Sequence, residues 1–413
     1  MGKLALAGGQ PVAKLETPAW PIVGKEEEER AIAVTRSGNW SYNGPMETAF
    51  NEAWAAFSGS KHSLLVSNGT VALQLAYEAL DIGRGDEVIV PGLTFQATAS
   101  AALDVNAIPV LVDVDPDTWC LDPKAAEAAI TSRTAAIVPV HLGCNLADMD
   151  AILDLASRNG LAVVEDCAHA PGAQWRETSA GTLGDIGTFS FQQSKSITCG
   201  EGGAILAQDD RLFGRLDQLR NCGRFSEHVP EEKQRYLQSG NYRLTEWQAA
   251  ILLCALDRAP ELMERRDACG SRLDQLLQAA PGVQPLKRDE RITRRNYYTY
   301  PLRLIAEEWE GIDRDKFCRA LGAETGVSFW PYCDALNDDP LYQPRTKRRY
   351  RLDDEHWAKI DPSRVHLPVC ARITTQEGIC TLHQNFLRDP SDMDAIAEAI
   401  TKIYDNRDEL RCL

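Results

Sequence analysis

From about residue 60 to residue 207, short apolar runs rich in valine and isoleucine alternate with stretches of helical pattern. Such alternation is typical of a mostly parallel β-sheet with helices packed on its faces. We therefore expect one large α/β domain over residues 1–255. The seven predicted strands lie in HSLLVS, DEVIVP, IPVLVDV, TAAIVPVH, LAVVEDC, DIGTFSF and GGAILA, and three of the predicted helices lie in VALQLAYEAL, QATASAALDV and DAILDLASRNG.

The C-terminal part of the chain has a different pattern. The segment GNYRLTEWQAAILLCALDRAPELMERRDACGSRLDQLL predicts two long helices, and NYYTYPLRLI suggests an edge strand. SDMDAIAEAITKIYDN has the spacing of an amphipathic helix. We expect a smaller α+β domain over residues 256–413.

Charge and composition exclude several classes of partner. The 60 acidic and 44 basic residues give a formal charge of −16, which repels a polyphosphate backbone. No window approaches the ~18 apolar residues of a membrane helix, and the first residues lack an apolar export segment. The twelve cysteines form no CxxC pair and the seven histidines no HExxH motif. We therefore expect a cytoplasmic protein with reduced thiols that binds no metal, membrane or nucleic acid.

Two predicted strands end in polar residues, where ligands collect in an open parallel sheet. In VSNGTVAL, Gly69 permits a tight turn and Thr70 brings a hydroxyl to the free N–H groups of a helix start, which suits a phosphate. The alternative is an ordinary helix cap. In LAVVEDC, side chains alternate along the strand, so one of Glu165 and Asp166 is expected to face the site and the other to point away. A helix N-cap is the alternative there too.

Lys195 follows a third predicted strand, in FSFQQSKSITCGEGG. A lysine alone is most often a solvated surface residue, but desolvation lowers the pKa of an amine, and an unprotonated amine can condense with an aldehyde. A phosphate cradle, a carboxylate for a ring nitrogen and a nucleophilic lysine would each bind a different part of pyridoxal 5′-phosphate. Together they predict this cofactor.

Seven segments of the chain resemble the DegT/StrS-type sugar aminotransferases, a branch of the fold-type I enzymes that use pyridoxal 5′-phosphate. The resemblance runs in one order from RSGNWSYNGPMETAF to ARITTQEGICTLHQNF, nearly the whole chain. It implies a mostly parallel seven-stranded sheet flanked by helices, a smaller C-terminal domain, and pyridoxamine 5′-phosphate as the second form of the cofactor. The segments are SNGTVAL, DEVIVPGLTFQATASA, PVLVDVD, PVHLGCNLADMDAI, VVEDCAHAPGA, GDIGTFSFQQSKSITCGEGGAI and GNYRLTEWQAAIL.

The resemblance also implies a role for each matched residue. Lys195 would attach the cofactor covalently and carry the proton during transamination, and Asp166 would pair with the pyridine nitrogen. One residue, Asn241, would come from a partner subunit, which implies a homodimer with shared active sites. The other cofactor contacts would be Gly69, Thr70 and Ser190 at the phosphate, Phe95 on the ring face, and His169 near the 3-hydroxyl oxygen.

Departures from the nucleotide-sugar members indicate the substrate. SFQQSK stands where those members commonly have SFH before the lysine, and His169 stands where they commonly have glutamine. Both features, with PRTKRRY and TLHQNFLRDPSDMDAI, resemble the branch that aminates cyclitols for aminoglycosides, such as the glutamine:scyllo-inosose aminotransferases. We expect transfer from L-glutamine or L-glutamate to a keto-cyclitol or keto-sugar. Candidates for the substrate pocket, for each of which a structural role is equally open, are Trp40, Tyr42, His141, Arg372 and His383; Glu246 is similarly open.

The sequence leaves some other functions open and disfavours the rest. A nucleotide-linked keto-sugar aminotransferase, or a dehydratase similar to 3-amino-5-hydroxybenzoate synthase, would keep the lysine and stays open. Dehydratases of the family that replace the lysine with histidine are disfavoured by Lys195, and a regulator that binds the cofactor without turnover is disfavoured by the intact set of Lys195, Asp166 and Thr70. A nicotinamide-dependent oxidoreductase is disfavoured, because this sequence has no GxGxxG motif after its first predicted strand.

Overall fold

The computed structural model of the chain describes residues 2–309 and 311–413. The strands of these residues are β1 (His62–Val66), β2 (Glu87–Pro91), β3 (Ile108–Val112), β4 (Thr134–Ile137), β5 (Ala162–Asp166), β6 (Gln174–Trp175), β7 (Thr178–Ser179), β8 (Ile186–Ser190), β9 (Gly203–Ala207), β10 (Val283–Pro285), β11 (Ile292–Arg294), β12 (Thr299–Leu304), β13 (Trp330–Pro331) and β14 (Gly378–Leu382).

The α-helices of the same residues cover both faces of the large sheet and surround the smaller one. They are α1 (Lys25–Ser37), α2 (Pro45–Ser58), α3 (Gly69–Ala79), α4 (Ala97–Asp104), α5 (Pro123–Ala129), α6 (Met149–Asn159), α7 (Asp210–Arg220), α8 (Glu246–Leu277), α9 (Ala306–Trp309), α10 (Arg314–Thr325), α11 (Asp354–Lys359), α12 (Pro368–Arg372), α13 (Asp392–Asp405) and α14 (Arg407–Cys412). None of the helices so described is both long and apolar enough to cross a membrane.

The large sheet has seven strands in the order β1-β9-β8-β5-β4-β2-β3. The neighbours from β8 to β3 are parallel, and β9 runs antiparallel to both β1 and β8. Successive residues of β2 enter different cores: Ile89 packs in one hydrophobic cluster, and Val88 and Val90 pack in another. Burial on both faces explains why these strands are continuous apolar runs. The predicted mostly parallel seven-stranded sheet is confirmed.

A second sheet of four strands, in the order β10-β12-β14-β13, lies in the C-terminal part. Its strands pack with α8, α10 and α13 in a third core that includes Tyr300, Phe317 and Ile400. The predicted edge strand is wrong, because β12 pairs with both β10 and β14. Pro301 is tolerated in this central strand because β10 reaches only as far as Leu302. The amphipathic helix of the tail is confirmed as α13.

The two long helices expected after residue 240 are one helix, α8, of 32 residues with Pro260 inside it. A proline removes one backbone donor and favours a break. The apolar side chains on either side of it, Ala259, Leu262 and Met263, are all buried, and this tertiary packing outweighs the local preference. The predicted boundary between residues 255 and 256 falls inside α8, and the division into two domains stays a prediction.

The strand directions bring the site together. Because β9 is antiparallel to both β1 and β8, β1 runs in the same direction as β8 and its parallel neighbour β5. The carboxyl ends of β1, β5 and β8 therefore lie at the same edge of the sheet. Gly69, Asp166 and Ser190 stand at or just after these ends.

Candidate functional site

A cavity of about 660 Å³ opens at this edge of the sheet. Side chains or backbone from the three strand ends, from the loop after β8 and from the residue before β12 line it. The cavity thus brings together seven residues that the sequence predicted as cofactor contacts: Gly69, Thr70, Phe95, Asp166, His169, Ser190 and Lys195.

One end of the cavity is built from the start of α3 and the end of β8. Asn68 caps the helix, because its Oδ1 accepts a hydrogen bond of 2.9 Å from the Val71 N–H. Gly69 and Thr70 form the first turn, whose N–H groups and dipole favour an anion. A Cβ at position 69 would lie 2.9 Å from the Ser190 Cβ, so only glycine allows Ser190 to lie this close to the helix start. This end of the cavity can hold a phosphate.

The close contact at Gly69 gives a stability prediction. Gly69→Ala is expected to lower the free energy of unfolding by about 1–3 kcal/mol, because the new methyl group forces α3 and β8 apart. Gly83→Ala is the matched control, since a Cβ there meets nothing closer than the Val105 carbonyl oxygen at 3.6 Å. Denaturant unfolding of both variants measures the difference. Equal stability of the two variants would show that the contact is readily relieved.

Asp166 lies at the centre of the site and is held by two hydrogen bonds. Its Oδ2 accepts from the Thr98 hydroxyl at 2.8 Å, and its Oδ1 accepts from the Ala168 N–H at 3.1 Å. Because the Thr98 hydroxyl donates its proton to Asp166, the Thr94 hydroxyl, 2.9 Å from it, is the donor in that second contact. The orientation of the carboxylate is thus fixed by a series of hydrogen bonds that starts at Thr94, in the loop before α4.

Glu165 points to the other face of the sheet, as the strand alternation predicts. Its carboxylate accepts from the N–H groups of Gly181, Leu183 and Gly184, at 2.7–2.8 Å, and from His141 Nε2 at 3.1 Å. Together with Cys167, His141 and Glu165 place three atoms able to bind a metal within 4.8 Å of one another. These four donors already engage the carboxylate oxygens of Glu165, which favours a structural role for the three residues.

Lys195 extends into the cavity from the loop after β8. Burial lowers the pKa of its amine to about 8, against the opposing attraction of the Asp166 carboxylate. No acceptor among residues 2–309 and 311–413 lies within hydrogen-bond distance of the Lys195 Nζ. The amine instead lies 4.1 Å from the centre of the Tyr298 ring. A lysine in this setting is available as a nucleophile and as a proton carrier.

His169 and Phe95 border the same space. The His169 Nδ1 accepts from the Gly143 N–H at 3.2 Å, so the ring proton is on Nε2. Burial, with Lys195 as a second cause, holds the pKa of His169 well below its usual value, and the ring is neutral. Phe95 leaves 59% of its surface exposed at the cavity, although it is an apolar ring. Such a ring can stack on a flat ligand.

The other two predicted histidines are buried and do not line the cavity. His141 accepts from the Ala147 N–H through Nδ1 and donates to Glu165 through Nε2, so both ring nitrogens are engaged. His383 donates through Nε2 to the Ser194 carbonyl oxygen at 3.0 Å. Burial, with Arg266 as the next cause, lowers the pKa of His383 to about 3. These contacts favour the structural role that the sequence left open for both.

The remaining candidates lie outside the cavity of the single chain. Trp40 packs against Trp247 with the ring planes tilted by 37°, the Tyr42 ring lies beneath the Arg243 guanidinium, and Arg372 pairs with Glu377 at 2.8 Å. Asn241 is exposed and bridges to Asn221. Their predicted contacts with substrate or with a partner's cofactor stay predictions. Glu246 is buried and accepts from the N–H groups of Met46 and Glu47, so it caps the start of α2.

Sequence reasoning missed several residues that line the cavity. Thr94 and Thr98 follow the predicted strand DEVIVP and flank Phe95. Their position near a predicted cofactor contact could have indicated that they line the site. Tyr298 gave no such signal, because it belongs to the strand run NYYTYPLRLI far along the chain. Gln192 appeared only as a departure from the family pattern, yet its Oε1 accepts from both the backbone N–H and the hydroxyl of Ser194.

Comparison with known proteins places this site in a family. Residues 21–381 match the DegT/DnrJ/EryC1/StrS aminotransferase family. The chain is 40% identical to an L-glutamine:2-deoxy-scyllo-inosose aminotransferase of Streptoalloteichus tenebrarius, over 99% of each chain. It is 41% identical to an L-glutamine:scyllo-inosose aminotransferase of Streptomyces griseus, over 98% of each. The crystal structure of 3-amino-5-hydroxybenzoic acid synthase superposes with a TM-score of 0.81 at 31% identity, covering 94% of this chain and 98% of the synthase chain.

The family match spans most of the chain, and the relatives cover nearly all of it at about 40% identity. The lysine and the carboxylate that the resemblance singled out lie in one cavity. The chain therefore belongs to the DegT/DnrJ/EryC1/StrS aminotransferase family and is an aminotransferase.

Proposed function

We propose that this protein transfers the amino group of L-glutamine or L-glutamate to a keto-cyclitol, with pyridoxal 5′-phosphate as its bound cofactor. The observation that carries the proposal is Lys195, whose amine has a pKa of about 8 and shares one cavity with Asp166. The relatives named as glutamine:inosose aminotransferases support the donor and the acceptor, since the similarity extends over the full chain.

The cavity fits the three parts of this cofactor. Thr70, Ser190 and the start of α3 would hold the phosphate, and Asp166 would hold a proton on the pyridine nitrogen. Phe95 would cover the ring face, and the Nε2–H of His169 is the donor suited to the 3-hydroxyl oxygen. When bound, the cofactor supplies an electron sink for the bond that is broken at the carbon bearing the amino group.

Lys195 has two tasks in this reaction. A pKa of about 8 leaves roughly a tenth of the amine unprotonated at pH 7, enough to attack an aldehyde and later to accept a proton from the substrate carbon. Asp166 is oriented by Thr98 and the Ala168 N–H, so it holds its charge at one place throughout. The burial of Asp166 and of the Lys195 amine limits the contact of both groups with bulk water.

We further propose a homodimer in the cytoplasm with shared active sites. Asn241 is exposed in the single chain and free to approach a partner's phosphate site. Large exposed side chains support a partner surface: Trp40 is 50%, Phe225 48% and Tyr236 74% exposed. Equilibrium sedimentation measures the assembly state directly.

A second function is favoured by the likeness to 3-amino-5-hydroxybenzoic acid synthase, which covers 94% of the chain. A dehydration of this kind would use the same lysine and the same carboxylate. The lower identity, 31% against about 40% for the inosose aminotransferases, makes it the runner-up. A nucleotide-linked keto-sugar is the other acceptor to be compared.

The proposed function is tested in two steps. Purified protein is expected to absorb in the visible range after incubation with pyridoxal 5′-phosphate, and borohydride should fix the cofactor to the peptide that contains Lys195. The form loaded with pyridoxamine 5′-phosphate is then mixed with scyllo-inosose, 2-deoxy-scyllo-inosose or a nucleotide-linked keto-sugar. Rapid return of the pyridoxal absorption with an inosose is the expected result. Protein that takes up no cofactor would sink the proposal, and product analysis separates amination from dehydration.

A further inference from the structure

Tyr298 is a cavity residue that lies close to Lys195 yet comes from a distant part of the chain. It immediately precedes β12 of the smaller sheet. Its backbone is fixed on both sides, because its N–H donates to the Gly143 carbonyl at 3.0 Å and its carbonyl accepts from the His383 N–H at 3.1 Å. The side chain is therefore presented to the cavity from a rigid support.

Three contacts fix the ring itself. It stacks on His169, with ring centres 4.0 Å apart and an angle of 29° between the planes. Its hydroxyl lies 3.0 Å from the Ser194 hydroxyl oxygen. Because Ser194 already donates its hydroxyl proton to Gln192, Tyr298 is the donor of this hydrogen bond. The ring is thus tied to the residue that directly precedes Lys195.

The fixed ring presents a face to the amine. The Nζ of Lys195 lies 4.1 Å from the ring centre, within the range of a cation–π interaction. Within the described part of the chain the amine has no hydrogen-bond acceptor, so the ring is its close electrostatic contact. We propose that Tyr298 is a positioning residue whose ring face holds the Lys195 ammonium whenever Lys195 is not bonded to the cofactor, ready for proton transfer.

The inference rests on the proposed function, which requires Lys195 to be freed in each cycle. The other titratable groups that face the amine are Asp166, which favours its charged form, and the neutral histidines His169 and His383. The ring also favours the charged form, because its negative face attracts a cation. Loss of the ring should therefore lower the pKa of Lys195 below about 8. Admission of water in its place would act in the opposite direction, since relief of burial raises that pKa.

The test measures the pKa of Lys195 in the full chain freed of cofactor. The rate at which an acylating reagent labels the peptide containing Lys195 follows the unprotonated fraction, with the exposed Lys25 as the internal standard. Tyr298→Leu is expected to lower the pKa of Lys195 by about one unit. Labelling should then be about tenfold faster than in the wild type at any pH below the Lys195 pKa of both proteins. Tyr298→Phe and Tyr298→Trp keep a ring and should stay within a few tenths of a unit of the wild type. Should Tyr298→Leu fail to fold, Tyr298→Met is measured in its place.

The outcomes separate the alternatives. An unchanged or raised pKa in Tyr298→Leu would overturn the inference, as would an equal shift in Tyr298→Phe, which would assign the effect to the hydroxyl. Tyr297→Phe is the matched control, because Tyr297 donates its hydroxyl to Asp267 on α8 and its ring stacks on Phe386. Since the labelling needs no cofactor, it stands apart from the absorption test, and failure of one does not imply failure of the other.

Discussion

Lys195→Ala is expected to lower the rate of amino transfer by at least about 10⁴-fold while the fold is kept. Under the proposed function the substitution would remove both the covalent attachment of the cofactor and the general acid–base group, and the second effect alone is worth ~10²–10⁴-fold. The cofactor should still bind through the phosphate end of the cavity, but borohydride should no longer fix it to the chain. Single-turnover absorption and peptide mapping measure both effects.

The control for this variant is a lysine of ordinary exposure. Lys61 pairs with Asp210 on the surface, so Lys61→Ala should leave turnover unchanged. Thermal unfolding of both variants is expected to match the wild type closely, because the buried amine of Lys195 makes no hydrogen bond or ion pair within the residues described. Retained turnover in Lys195→Ala would contradict the assigned role.

Asp166→Asn is expected to lower kcat/KM by roughly 10²–10⁴-fold. The change keeps the size of the side chain but removes the charge that would pair with the pyridine nitrogen of the proposed cofactor, and loss of one partner of a buried charge pair costs about 3–5 kcal/mol. The pKa of Lys195 should also fall below about 8, because Asp166 is the group that raises it. The acid limb of the pH profile should therefore move to lower pH, which steady-state kinetics between pH 5 and 9 will measure.

Thr98→Val separates the charge of Asp166 from its orientation. Valine has the shape of threonine but cannot donate to Oδ2, so one hydrogen bond to a charged group is lost, worth about 1.5–3 kcal/mol. We expect a loss of about tenfold to 10²-fold in kcat/KM, with the pKa of Lys195 unchanged. A larger loss in Thr98→Val than in Asp166→Asn would contradict the role of the charge.

The seven strands of the large sheet could be predicted because the sheet is buried on both faces, so the strand sequences are mostly continuous apolar runs. The same topology made the site partly predictable, since Asp166 and Ser190 end neighbouring strands. The unbroken course of α8 was not predictable, because Pro260 is a local signal to stop and the packing that overrides it is tertiary. The central position of β12 was not predictable either, because its pairing with β14 joins segments that lie far apart in the sequence.

Residues brought to the site from afar were the hardest to predict. Tyr298 enters the cavity only because β12 begins beside the loop that carries Lys195, and no spacing in the sequence encodes that approach. His141 and His383 are the opposite case, because the sequence left each open between substrate contact and a structural role. Each follows a strand as a ligand would, yet hydrogen bonds to Glu165 and to the Ser194 carbonyl engage them within the protein.

The loop that carries Lys195 is fastened by both ends of the chain. The Trp20 indole donates to the Gln193 carbonyl oxygen, and His383 donates to that of Ser194. During synthesis the large sheet can be completed once Ala207 has emerged from the ribosome, but the loop gains its contacts from the C-terminal part only when Tyr298 and then His383 are made. We therefore expect the proposed cofactor to be captured late in translation. A chain truncated before His383 should take up less cofactor than the full chain, which the visible absorption of the two chains measures.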